Sequence, residues 1–158
     1  MDALAQKVGE RLKAARAKLV TAESCTGGWA AQVVTSVAGS SAWFERGFVT
    51  YSNEAKRELL GVQESTLRAH GAVSEETARE MAQGALSRGK GTVALAVTGV
   101  AGPGGGTLDK PFGMVCFAWA SERSVRSETQ QFSGDRESVR RQSVVRALEG
   151  VLQHLERG

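Results

Sequence analysis

Residues Thr92 to Thr98 read TVALAVT, an almost unbroken apolar run of strand-forming residues. A strand with one wet face alternates apolar and polar side chains. A strand without alternation has to be covered on both faces. The run MVCFAWA, inside a second expected strand at Gly113 to Ala120, makes the same demand. Helices must therefore lie on both sides of a sheet. A chain of 158 residues is long enough to build one such core without disulfide staples, so a single domain over residues 1–158 is expected.

Other segments supply the covering layers. Leu4, Val8, Leu12 and Ala15 form one stripe of a helix over residues 2 to 18. Leu19 to Glu23 is a short strand. A helix follows from Thr26 to about Val37, with Trp29, Val33 and Val37 on one face. Ala38 to Ser41 is loop, and Gly47 to Tyr51 reads as a strand. Ser52 or Asn53 caps a helix that carries Ala55, Leu59 and Leu60 and stops at Gly61. Thr66 to His70 is a short helical piece ended by Gly71.

Ser74 caps the clearest helix, with Ala78, Met81, Ala82, Ala85 and Leu86 at helical spacing. Gly99 to Pro111, rich in glycine, is loop. After a turn at Glu122 to Ser124, Val125 to Phe132 is a more polar edge strand. Asp135 caps a final helix with Val144, Leu148, Val151, Leu152 and Leu155 inside. About five strands alternate with five or six helices. The fold class is α/β: a three-layer α/β/α sandwich around a mainly parallel five-stranded sheet, with one antiparallel edge strand from the last hairpin.

Composition narrows the function. Net charge is +3, and Lys and Arg alternate with Glu and Asp without a basic stripe, so nucleic acid is not an expected partner. No apolar run reaches membrane-spanning length, and the N-terminus lacks a signal-peptide pattern, so a cytoplasmic protein is expected. Cys25 and Cys116 form neither a CxxC pair nor a Cys/His cluster, which leaves zinc unsupported. Cys116, within MVCFAWA, reads as core.

Ligands of such folds sit beyond the C-terminal ends of the strands. Ser24, the Tyr51–Lys56 segment and the Thr98–Gly106 loop fall there. Ser24 reads as a nucleophile on a strand-to-helix turn or as an ordinary helix cap, and the turn alone favours the cap. Cys25 is a rival nucleophile, since a helix N-terminus lowers a thiol pKa, or a small buried side chain. His154 lies near the end of the last helix, remote from any strand end, and His70 precedes a capping glycine. A Ser-His-Asp triad is thus poorly supported. Lysine replaces histidine when desolvated and neutral. Lys56, in the first turn of its helix, would reach back toward the strand ends, or would lie exposed as surface lysines do. The Thr98–Gly106 loop could cradle an anion or merely connect. At least one of Arg140 and Arg141 points inward, toward a carboxylate or a phosphate.

Six motifs occur together and in order: AESCTGG (Ala22–Gly28), GSSAWFERGFVTYSNEAK (Gly39–Lys56), GAVSEETA (Gly71–Ala78), TGVAGPGGG (Thr98–Gly106), KPFG (Lys110–Gly113) and GDRESVR (Gly134–Arg140). On these the chain resembles the stand-alone nicotinamide-nucleotide amidases (NMN deamidases), which are similar to the C-terminal domain of the competence-damage protein CinA. The resemblance covers nearly the whole chain. It lacks the extra N-terminal domain of full-length CinA proteins, so that domain's pyrophosphatase activity is not carried over.

The resemblance implies hydrolysis of nicotinamide mononucleotide to nicotinate mononucleotide and ammonia, in pyridine nucleotide recycling, by a Ser-Lys mechanism without metal or cofactor. It also implies a homodimer. It places the serine at Ser24 and the lysine at Lys56. In the chemistry that follows from this, Tyr51 assists the pair. Main-chain amides at Cys25, Thr26, Gly27 and Gly28, or from Gly99 and its loop, hold the oxyanion, and Thr98 bonds the lysine or the substrate. Gly102 in the loop and Arg136, Arg140 or Arg141 hold the phosphate. The alternatives are a non-catalytic nucleotide-binding module linked to competence or the DNA damage response, and an amidase for a non-nucleotide amide.

Overall fold

The computed structural model describes residues 1–157. One sheet contains β1 (Leu19–Glu23), β2 (Phe44–Val49), β3 (Val93–Gly99), β4 (Met114–Ser121) and β5 (Val125–Gln131). The helices are α1 (Asp2–Ala14), α2 (Trp29–Thr35), α3 (Asn53–Leu60), α4 (Glu64–His70), α5 (Glu75–Gly89) and α6 (Arg136–Arg157). The strands lie in the order β2-β1-β3-β4-β5. β1 pairs in parallel with β2 and β3, while β3–β4 and β4–β5 are antiparallel. The α/β class and the antiparallel pairing at one edge agree with the sequence reading. The strand whose direction is reversed is β4, one in from the edge, so β5 runs with β1, β2 and β3.

Both faces of the sheet are covered, as TVALAVT requires. On one face Leu19, Leu95, Val97, Phe117 and Trp119 meet apolar residues of α1, α2 and α6. On the other, Val20, Ala22, Ala94, Ala96, Ala118 and Ala120 meet α3 and α5. Each large apolar side chain removed from water contributes about 1.5–3 kcal/mol. The second face is built mostly of alanine, which lets α5 lie close. α3 docks in turn on α5 at Gly84, where a Cβ would come within 1.8 Å of the Leu60 carbonyl oxygen. A side chain there would push α3, and Lys56 with it, away from the sheet.

Several boundaries differ from expectation for local reasons. α1 ends at Ala14, because Arg16 adopts a left-handed φ of 54°, and Ala15 is exposed. α2 begins at Trp29 rather than Thr26, since Thr26 to Gly28 complete a turn first. β2 starts at Phe44, in register with Leu19, and stops at Val49 rather than Tyr51. On α3 the inner residues are Lys56 and Leu60, four apart, while Leu59 is exposed.

The C-terminal ends of β1, β2 and β3 share one pole with the start of β4, where Gly99 pairs with Val115. β5 ends there too, opposite Met114. The chain therefore starts α3 and α6 at this pole, and the Ala72 turn leading into α5 meets Thr98 there. Ser52 caps α3 by accepting the Ala55 N–H, and Ser74 caps α5 by accepting that of Thr77. Asp135 accepts the N–H of Ser138 at the head of α6.

Candidate active site

Ser24 follows directly on β1 and opens a turn that reverses into α2. Gly27 and Gly28 have φ of 61° and 103°, a region that side chains disfavour. The turn conformation itself thus favours glycine at both positions, most strongly at Gly28. A feature with no counterpart in the sequence reading holds this turn. Glu23 is fully buried, and its carboxylate accepts from Thr26 Oγ1 (2.7 Å), Ala30 N–H (2.8 Å) and Ala31 N–H (3.1 Å). A negative group at a helix N-terminus satisfies unpaired donors and complements the helix dipole. From the other side, Arg140 donates to the carbonyls of Cys25 (3.1 Å) and Thr26 (3.2 Å). Its protein partners are these two main-chain carbonyls, with no carboxylate among them.

Lys56 comes from the first turn of α3 and is 1% exposed. Its Nζ donates to Ser24 Oγ (2.9 Å), the Thr50 carbonyl (2.9 Å) and the Tyr51 carbonyl (3.3 Å). Burial lowers its pKa from 10.5 to about 8, because the charged form loses hydration. The three neighbours also suit the neutral amine. Two carbonyls can only accept, so they take its two N–H groups. The lone pair is then left for the Ser24 hydroxyl. Ser24 is itself buried, and its Oγ has a second, longer contact to the Tyr51 carbonyl at 3.4 Å.

A cavity of about 230 Å³ opens onto this pair. Ser24, Cys25, Tyr51, Lys56, Thr98, Gly99 and Arg136 line it, together with Ala72, Val73 and Ala101. Thr26, Gly27, Gly28, Gly102 and Arg140 are not among its walls. They form a supporting layer: Thr26 bonds Glu23, Arg140 holds the turn, and the Gly102 carbonyl accepts from Arg136 at 2.8 Å.

Residues 1–155 match the family described as the CinA C-terminal domain. The chain belongs to the CinA C-terminal domain family. The nicotinamide-nucleotide amidohydrolase PncC of Escherichia coli (strain K12) is 54% identical over 151 residues, covering 95% of this chain and 92% of that protein. The PncC of Pseudomonas putida is 52% identical over 150 residues, covering 95% and 94%. The crystal structure of the competence/damage inducible protein CihA from Agrobacterium tumefaciens has a TM-score of 0.94 at 44% identity, covering 98% of this chain and 94% of that one.

Of the two readings of Cys25, the small buried side chain holds: burial raises its thiol to about 12, which removes it as a thiolate at neutral pH. Two expectations change within this CinA domain. Thr98 Oγ1 donates to the Ala72 carbonyl at 2.9 Å rather than to Lys56. The Tyr51 side chain is exposed and makes no hydrogen bond to either member of the pair. Its main-chain carbonyl does.

The opposite pole of the CinA domain carries a larger cavity, about 350 Å³, bordered by Arg16, Thr92, Ser121, Arg123 and His154. His154 is therefore not remote from a strand end, because reversed β4 finishes beside it. Its Nε2 lies 2.9 Å from Ser121 Oγ. This pair is not a nucleophile and base. Arg126 Nε, which can only donate, faces Nδ1 at 3.4 Å, so Nδ1 accepts and Nε2 carries the proton. No helix among the described residues is long and apolar enough to cross a membrane.

Proposed function

We propose that this chain is a nicotinamide-nucleotide amidohydrolase that uses Ser24 as nucleophile and Lys56 as general base. The observation that carries the reading is the buried Lys56–Ser24 contact, with the lysine pKa lowered to about 8. The substrate comes from the relatives at 52–54% identity that bear the amidohydrolase name over nearly their whole length.

Neutral Lys56 takes the Ser24 proton as Oγ attacks the carboxamide carbon of nicotinamide mononucleotide. The oxygen becomes an oxyanion, which the main-chain N–H of Cys25, at the cavity wall, stabilises. The C–N bond breaks, Lys56 returns the proton to nitrogen, and ammonia leaves. Lys56 then deprotonates a water that opens the acyl-serine, releasing nicotinate mononucleotide. Arg136, at the cavity edge, takes the phosphate with the glycine loop, while Arg140 keeps the turn in shape. The reaction returns a nicotinamide nucleotide to the acid form used in pyridine nucleotide recycling.

The test is ammonia release from nicotinamide mononucleotide by purified protein. Release that is abolished in Ser24→Ala and Lys56→Ala supports the mechanism. Undiminished release by Ser24→Ala would sink it. Release from free nicotinamide but not from the nucleotide would point to a non-nucleotide amidase. Nucleotide binding without release would point to a non-catalytic module.

A further inference from the structure

Two motifs have no part in the chemistry above, Gly71–Ala78 and Lys110–Gly113. In the structure they meet at the wall of the Ser24 cavity. Four consecutive carbonyls there each accept from a side chain. Lys110 Nζ donates to the carbonyls of His70 (2.9 Å) and Val73. Ser74 Oγ (2.9 Å) and Thr77 Oγ1 (2.7 Å) donate to that of Gly71. Thr98 Oγ1 donates to that of Ala72.

A peptide unit is planar and trans, so clamping a carbonyl also fixes the direction of the N–H that follows it. The Gly71 and Ala72 carbonyls fix the N–H groups of Ala72 and Val73. Those two N–H groups have no hydrogen-bond partner among the described residues, and both residues line the cavity. Ala72 and Val73 are half-buried at the cavity wall, so these two donors are open to an acceptor that enters it. The cavity, about 230 Å³, is small for enclosing a whole drug-sized ligand and has room for the reacting end of one.

We propose that the Ala72–Val73 turn is a preorganised pair of main-chain donors for the reacting end of the substrate, and that Lys110 is its positioning residue. Lys110 holds both ends of the turn, at His70 and Val73, and ties them to the glycine-rich loop from which it projects. The inference rests on the amidohydrolase reading for its substrate. It does not rest on it for the strap itself.

The test compares wild type, Lys110→Met and Lys110→Arg in two measurements. With nicotinamide mononucleotide, Lys110→Met is expected to lose roughly tenfold or more in kcat, with KM changed less than about threefold. Lys110→Arg, which can still donate to two carbonyls, recovers much of that loss. A general loss of folding would instead lower the active fraction and would not be rescued this way. In amide hydrogen exchange, Lys110→Met speeds exchange over residues 70–74 and 100–111 and leaves α1 unchanged. Wild-type kcat in Lys110→Met, or unchanged exchange over residues 70–74, overturns the proposal. If wild type releases no ammonia, the amidohydrolase reading fails, and the exchange measurement still decides the strap.

Discussion

Lys56 Nζ stands 2.9 Å from Ser24 Oγ, although 32 positions separate the two residues in the chain. Parallel pairing of β1 with β2 brings their ends together. The serine is on the turn after one strand and the lysine on the helix after the other. Neither residue is distinctive alone. The site exists because α3 is docked closely enough, at Gly84, to bury the amine.

The first prediction concerns pH. Lys56 must be neutral to accept the Ser24 proton, and burial has brought its pKa from 10.5 to about 8. With nicotinamide mononucleotide, kcat/KM should rise about tenfold per pH unit below pH 8 and level off above it. The direction is upward because deprotonation creates the base. A profile flat from pH 6 to 9, or one still climbing toward 10.5, would rule out the buried lysine as that base.

The second concerns Glu23. Glu23→Gln keeps the shape but replaces one acceptor oxygen by an amide NH2, beside the Ala30 and Ala31 N–H groups, which can only donate, and the Thr26 hydroxyl, which now donates. One or more buried donors lose their acceptor, at about 1–3 kcal/mol. The expected result is a Tm lowered by several degrees and a kcat reduced about tenfold, with KM little changed. Glu23→Asp, which keeps the charge on a shorter arm, should restore part of the kcat. Equal turnover in wild type and Glu23→Gln would show that the clasp does not position Ser24.

Legibility in the sequence followed the range of the interactions. Patterns set by neighbours in the chain were readable: β1 at Leu19–Glu23, the Ser74 cap, and the doubly buried β3. A helical side chain leans toward its own N-terminus, which let Lys56 reach back toward the strand ends, but the exposed reading stayed open until the resemblance paired it with Ser24. Contacts closed by tertiary packing were not readable. Glu23 looked like one more strand residue, and its signal was an acid inside an apolar segment with Thr26 three positions on. One of Arg140 and Arg141 could be assigned an inward direction, but neither which one nor its partner. Tyr51 drew notice for its phenol, yet its carbonyl faces Lys56. Lys110 carried no local signal, because its partners lie about 40 positions away.

The third prediction concerns Cys25, the thiol beside the nucleophile. It is 6% exposed, and its pKa is pushed up to about 12, first by burial. At pH 8 almost none of it is thiolate. Iodoacetamide should therefore leave activity intact over minutes, and Cys25→Ala should retain turnover within about threefold. Rapid inactivation that wild type shows and Cys25→Ala escapes would return the thiol to the list of nucleophiles.

The fourth concerns the other pole. His154 is buried, and burial, then Arg126 and Arg157, hold its pKa below the usual 6.5. In the unfolded chain the imidazole takes up its proton at a higher pH than in the folded one. The unfolded state therefore binds more protons as pH falls through 6.5, and the stability that His154 contributes is lost on acidification. His154→Gln can still donate to Ser121 and accept from Arg126 but cannot titrate. Urea unfolding should show wild type losing stability between pH 7 and 5 more steeply than His154→Gln. Turnover per folded molecule at pH 8 should be the same in both, since His154 lies at the opposite end of the sheet from Ser24. A variant that folds normally but fails to release ammonia would move the chemistry to the Ser121–His154 pair and displace Lys56 from its assigned role.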